Sequence, residues 1–199
     1  VGELIDRGAK LVVVACNTAT AAAIAHLRST FPDTPIVGLE PAIKPACLES
    51  KTRKVGVLAT ERSLKGEKFL TTLAKYGEGV EVFKSVGEGF VEAVESNREE
   101  DAQTLEIVRK VVEPMIAQGV DIIVLGCTHY PFLRHVIERV VGDHQIRIID
   151  SGEAVGKRVK SLLDEFGLGA SADNEPQMEF ITYSSEEYRL RLMAKAVEK

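Results

Sequence analysis

Two stretches of the 199-residue chain carry a cysteine in the same setting, AKLVVVACNTATAAAI around Cys16 and VDIIVLGCTHYPFLRHVI around Cys127. Each has an apolar run, a small residue (Ala15, Gly126), the thiol, two polar residues (Asn17 and Thr18; Thr128 and His129) and then a helix-period segment. A free thiol, with a pKa of about 8.5, is only a few per cent thiolate at neutral pH, and a helix N-terminus lowers that value and enlarges the reactive fraction. Two thiols opposed across a cleft suit the removal of a proton from one face of a carbon and the return of one to the other. Such a reaction needs one thiolate and one thiol at a time. Asn17, Thr18 and Thr128, with helix N-terminal N–H groups, supply the donors that hold a carboxylate and its developing charge.

Each of these residues also has a plainer role open to it. Cysteine is among the most often buried residue types, and a single one after a strand is more often core than catalyst; a matched pair shifts that balance. Cys47, in PAIKPACLES, lacks the polar escort and reads as core. Asn17 and Thr18 also suit helix capping, which is compatible with ligand binding. His129 lies two residues past Cys127, close enough to share a pocket wall and exchange a proton with thiol or substrate, although a histidine at a helix start is as often structural. His26, His135 and His144 have no such company and are assigned no role. Zinc accepts a set such as Cys16, Cys127 and His129, but structural zinc sites bring paired ligands as CxxC and this chain has none, so no metal is expected.

The elements that position these residues alternate. Apolar runs predict strands near 10–15, 35–38, 54–59, 80–86, 121–125, 146–150 and 178–183, with helices near 18–29, 41–49, 63–76, 98–118, 131–141, 153–166 and 185–198. KLVVVA, DIIVLG and IRIID are apolar on both faces, as expected of central parallel strands covered by helices on each side. The fold class is therefore α/β, with mainly parallel sheets flanked by helices. In open α/β sheets the ligand crevice lies at the carboxyl ends of the strands, where both cysteines fall. Segments 95–101 and 168–177 are polar breaks that read as surface loops.

With 45% hydrophobic residues and a net charge of −5 free of long runs of either sign, the chain points to small-molecule partners and away from nucleic acid or an acidic membrane surface. No apolar run approaches the roughly 20 residues that span a bilayer, and the expected location is cytoplasmic. The three separated cysteines fit reduced thiols better than a disulfide framework. GELIDRG at the start reads as the end of a helix running straight into a buried strand, so opening elements of the sheet are expected to be missing from the chain.

At CNTAT and GCTHYPFL the sequence resembles the aspartate/glutamate racemase family, and the likeness continues through VGLEPAIKPA, VGVLAT and IIDSGEAV. Aspartate racemases of the family generally carry glutamate where His129 stands, so the histidine is similar to the glutamate-racemising members. The resemblance implies cofactor-independent interconversion of L- and D-glutamate, which in bacteria supplies peptidoglycan biosynthesis and so cell-wall biogenesis and cell shape. By motif it implies Cys16 and Cys127 as the two bases, His129 assisting the second, and Asn17, Thr18 and Thr128 on the amino acid. Thr60, in VLAT, matches a carboxylate-binding position; Ser63 stands where the family has a second threonine, and Glu95, in FVEAVE, aligns with a carboxylate near the site. It further implies two similar lobes, residues 1–43 with 157–199 and residues 44–156, with the site in the cleft between them, and a homodimer as a frequent assembly.

The chain departs from the family pattern in three places. Gly87 stands where the family has an extra cysteine ahead of the glutamate, and neither the opening strand ending in Asp-Ser-Gly nor the Tyr-Gly element that follows it is found. Asp150-Ser151-Gly152 matches the family's separate C-terminal IDSGEAV segment and does not take over the missing acid's role. Beside glutamate racemisation stand racemisation of aspartate or another acidic amino acid, a dicarboxylate-binding homologue without turnover, and a thiol oxidoreductase using a Cys16–Cys127 disulfide.

Overall fold

The computed structural model describes residues 1–171, 173–183 and 193–194, and these form two parallel sheets flanked by helices. After α1 (Gly2–Asp6), β1 (Val12–Val14) pairs in parallel with β2 (Ile36–Gly38), and α2 (Asn17–Thr30) makes the crossover. Val12, Ile24 and Ile36 form the small core between them, with Leu27 and Phe31 packed against it. Thr20 ties the two strand ends together: its hydroxyl donates to the Val14 carbonyl (3.2 Å) and accepts from the Leu39 N–H (2.9 Å). A Cβ at Gly38 would come within 2.5 Å of the Thr20 methyl, so this approach requires glycine.

The second sheet has the order β4-β3-β5-β6, all parallel, from β3 (Lys54–Ala59), β4 (Glu81–Val86), β5 (Ile122–Gly126) and β6 (Arg147–Ile149). Side-chain alternation sends Val55, Val57, Ile122 and Val124 to one face, into a core with Ala46, Cys47 and Phe69 from α3 (Ile43–Glu49) and α5 (Glu67–Tyr76). Leu58, Ile123 and Leu125 go to the other face, against α6 (Phe90–Glu95), α7 (Ala102–Ala117) and α8 (Arg134–Val141). Fully burying each such aliphatic side chain contributes about 1.5–3 kcal/mol. Every residue of β5 and five of the six in β3 are buried, so these two strands are the best anchored. From β6 the chain enters α9 (Gly152–Glu165), which packs back against β2.

Several elements differ from the sequence expectation. DIIVLG is a central strand, but KLVVVA and IRIID are not: β1 pairs on one side only among the described residues, with Val13 37% exposed, and β6 is a sheet edge. The segment 63–76 divides because Thr60 caps a short α4 (Glu61–Leu64) and Gly66 opens α5. The long helix begins at Ala102, and α6 lies in a stretch that the apolar period did not single out as a helix. Residues 131–141 open with a 3-10 turn, Tyr130–Leu133, before α8. Residues 178–182 form no strand, since no neighbouring strand accepts their backbone groups and Met178 is 63% exposed. Contacts of Arg7 with Glu179 and of Tyr183 with Glu3 hold this segment near α1. The helix expected over 185–198 lies, but for residues 193–194, outside the described residues.

Candidate active site

The chain leaves β3 toward β4 on one side and later returns to β5 on the other, so the switch point of the second sheet lies between β3 and β5. Their register pairs Ala59 with Gly126, which sets Thr60 and Cys127 side by side as the strands end. Gly126 makes that fit possible, because a Cβ there would stand 2.8 Å from the Ala59 Cβ and 3.1 Å from the Leu58 carbonyl oxygen.

Cys16 leaves β1 in an extended conformation and is itself the N-cap of α2, its Sγ accepting the Ala19 N–H at 3.4 Å. The capping role that the sequence offered to Asn17 and Thr18 therefore belongs to the thiol. Freed from capping, Thr18 reaches the second sheet: its Oγ1 lies 2.9 Å from Thr60 Oγ1 and 3.3 Å from Ser63 Oγ, and Thr60 Oγ1 donates to Ser63 Oγ at 2.9 Å. Thr60 also accepts the Ser63 N–H as the cap of α4, so the triangle of hydroxyls joins the first turn of α2 to the end of β3.

Cys127 is 9% exposed, on the face of β5 that carries Ile123 and Leu125. Burial pushes its thiol pKa above the ordinary value; the backbone N–H groups of His129 and Tyr130 pull it back, and negative charge on Cys16 pushes it up. Cys16 directly precedes Asn17, which lines one cavity with Cys127. His129 Nδ1 stands 4.0 Å from Cys127 Sγ, while His129 Nε2 lies 3.3 Å from Glu95 Oε1 at the end of α6. Behind them Tyr130 is buried edge-on to Phe90, with ring centroids 5.1 Å apart, and its hydroxyl donates to the Gly87 carbonyl at 3.4 Å. A Cβ at Gly87 would stand 2.8 Å from that hydroxyl, so this close approach requires glycine.

A cavity of about 110 Å³ joins the two halves, bringing Asn17 from α2 together with Cys127, Thr128 and Ser151. Asn17 is only 5% exposed, and its Oδ1 has no hydrogen-bond partner. A buried acceptor left unpaired costs about 1–3 kcal/mol, which a donating group at Asn17 would offset. The sequence signature of the family described as Asp/Glu/Hydantoin racemase matches residues 1–159.

The chain belongs to the Asp/Glu/Hydantoin racemase family. Among similar members, the glutamate racemase of Stutzerimonas stutzeri is 44% identical over 169 residues, 85% of this chain and 64% of the relative. That of Methylococcus capsulatus is 46% identical over 165 residues, 83% of this chain and 60% of the relative. The chain thus spans less than two thirds of the length of these curated relatives. Escherichia coli glutamate racemase, solved in complex with L-glutamate and the activator UDP-MurNAc-Ala, matches the fold with a TM-score of 0.81 at 27% identity, over 99% of this chain and 74% of that one. The Thermus thermophilus enzyme in complex with beta-chloro-D-alanine gives a TM-score of 0.74 at 28% identity, over 98% of this chain and 72% of that one.

Within this racemase-family fold the structure gathers Cys16, Asn17, Thr18, Thr60, Ser63, Cys127, Thr128, His129 and Glu95 around the switch point. Cys47 is fully buried in α3, and His26, His135 and His144 lie elsewhere, His135 beside Glu100. Among the described residues no group of three or more His, Cys, Asp or Glu is placed to hold a metal ion, and no helix is long and apolar enough to cross a membrane. Sequence reasoning missed Leu39, Asp150, Ser151 and Gly152 as cavity walls. The register could have found the last three, because Ile149 pairs with Val124 and the residues after it leave the sheet beside Leu125 and Gly126.

Proposed function

We propose that the chain carries the two-thiol centre of a glutamate racemase that interconverts L- and D-glutamate without a cofactor. The observation that carries this reading is that Asn17, next to Cys16 in the chain and with its Oδ1 unpaired, lines the same cavity as Cys127 and Thr128. One thiolate takes the proton from Cα and becomes a thiol; the other thiol gives its proton to the opposite face and becomes a thiolate, so the roles exchange at each turnover. Asn17 accepts from the substrate ammonium, while Thr128 donates to its carboxylates together with Thr18, Thr60 and Ser63, whose hydroxyls turn from one another to the ligand when it binds. His129, aligned by Glu95, takes and returns the proton of Cys127, whose burial otherwise favours the neutral thiol.

Glutamate is favoured because the relatives described above are glutamate racemases and the E. coli structure contains L-glutamate. The role that follows is supply of D-glutamate for peptidoglycan in the cytoplasm, and the assembly a homodimer. A first lobe of residues 1–43 with 157–199 and a second of 44–156 accord with the two sheets and with α9 packed on β2. Incubation with L-glutamate and chiral chromatography test the reading. D-glutamate should accumulate toward an equal mixture; turnover of aspartate alone, or glutamate binding without exchange at Cα, would overturn it.

A further inference from the structure

Ser151 occupies the N-cap position of α9, where serine is among the preferred capping residues, yet its side chain makes no capping bond. It is only 7% exposed and lines the same cavity as Asn17, Cys127 and Thr128. A hydroxyl withdrawn from bulk water and unused by its own helix is available to a ligand. Behind it stands the N-terminus of a 14-residue helix, whose partial positive charge favours an anion. The second, independent sign of a ligand is Asn17, which lines the same cavity, is 5% exposed and has an Oδ1 with no hydrogen-bond partner.

Asp150 also borders the cavity, but its carboxylate is engaged by Arg134 Nη2 at 2.7 Å and by the Gly152 N–H at 2.8 Å, which offsets its repulsion of an anion. An unmet acceptor and a hydroxyl donor from two residues that line one cavity, the latter at a positive helix end, complement an ammonium and a carboxylate carried by one carbon. We propose that Ser151 is a further substrate-binding residue, its hydroxyl donating to the α-carboxylate of the amino acid while Asn17 Oδ1 accepts from the ammonium. This rests on the racemase reading above. When Cα loses its proton, charge moves onto that carboxylate, so the contact strengthens as the reaction proceeds.

Calorimetric titration of the full chain with L-glutamate, paired with thermal melts, tests the assignment using Ser151→Ala and Ser151→Thr. Ser151→Ala should weaken glutamate binding about tenfold or more with Tm unchanged, because no cap is lost; Ser151→Thr keeps the hydroxyl and should bind as the unsubstituted chain does. Equal affinity in Ser151→Ala, a fall in Tm alongside the fall in affinity, or a loss in Ser151→Thr as large as that in Ser151→Ala would each overturn it. Failure of the unsubstituted chain to bind L-glutamate would instead remove the racemase reading, and this assignment with it.

Discussion

The two cysteines look alike in sequence and are held differently in space. Cys16 is half-buried and caps a 14-residue helix with its own sulfur, on a two-stranded sheet. Cys127 sits at the end of the most deeply buried strand, is followed by a 3-10 turn in place of an α-helix, and has His129 and Glu95 in line beside it. The matched motif therefore places Cys127 and Asn17, the neighbour of Cys16, on one cavity, while each thiol has its own surroundings. Cys16 Sγ accepts an N–H of the helix it caps; around Cys127 the backbone N–H groups of His129 and Tyr130 partly offset burial.

Breaking either half should cost the most. Cys16→Ser and Cys127→Ser should each lower kcat/KM for racemisation by about 10²–10⁴, measured by circular dichroism of glutamate; near-normal turnover in either variant would show that the comparison has no catalytic meaning. His129→Asn should cost about 10², and Glu95→Gln, which acts only through the histidine, about tenfold. Thr60→Val removes both the α4 cap and a corner of the hydroxyl triangle, so KM should rise several-fold and stability fall by about 1 kcal/mol in a denaturant melt.

Alkylation distinguishes the thiols without mutation. Iodoacetamide followed by peptide mass mapping should label the half-exposed Cys16 first, Cys127 more slowly and the fully buried Cys47 last. Burial holds the Cys127 pKa above the ordinary thiol value, so its thiolate fraction and labelling rate should keep rising with pH beyond the point where a free thiol levels off. The same shift has a stability consequence. The unfolded chain loses thiol protons first, so stability contributed by keeping Cys127 and Cys47 neutral is intact below the ordinary thiol pKa and is lost as pH rises from there toward the folded-state values. The smallest effect on activity belongs to Cys47→Ala, which should lower Tm and leave racemisation unchanged.

Much of this was legible from residue order, for identifiable reasons. Six strands showed because parallel strands need β-branched runs, and the paired cysteines showed because strand ends in such sheets gather the site. Three features depended on tertiary facts that periodicity does not encode. Whether KLVVVA is central or half-open depends on which strands flank it. The cap of α2 could not be assigned to Cys16 while Asn and Thr stood next to it as better formers. Asp150-Ser151-Gly152 matches the family's IDSGEAV segment, which gave Ser151 no role at the site, and the β5–β6 register brings it to the cavity beside Cys127.

The central claim is that two thiols reach one carbon from opposite faces, and isotope transfer in D₂O tests it most directly. L-Glutamate bearing protium at Cα should yield D-glutamate carrying one Cα deuterium from the first turnovers, while the unreacted L-glutamate keeps its protium. D-Glutamate that retains the original protium would mean a single base working on both faces, and would contradict the account.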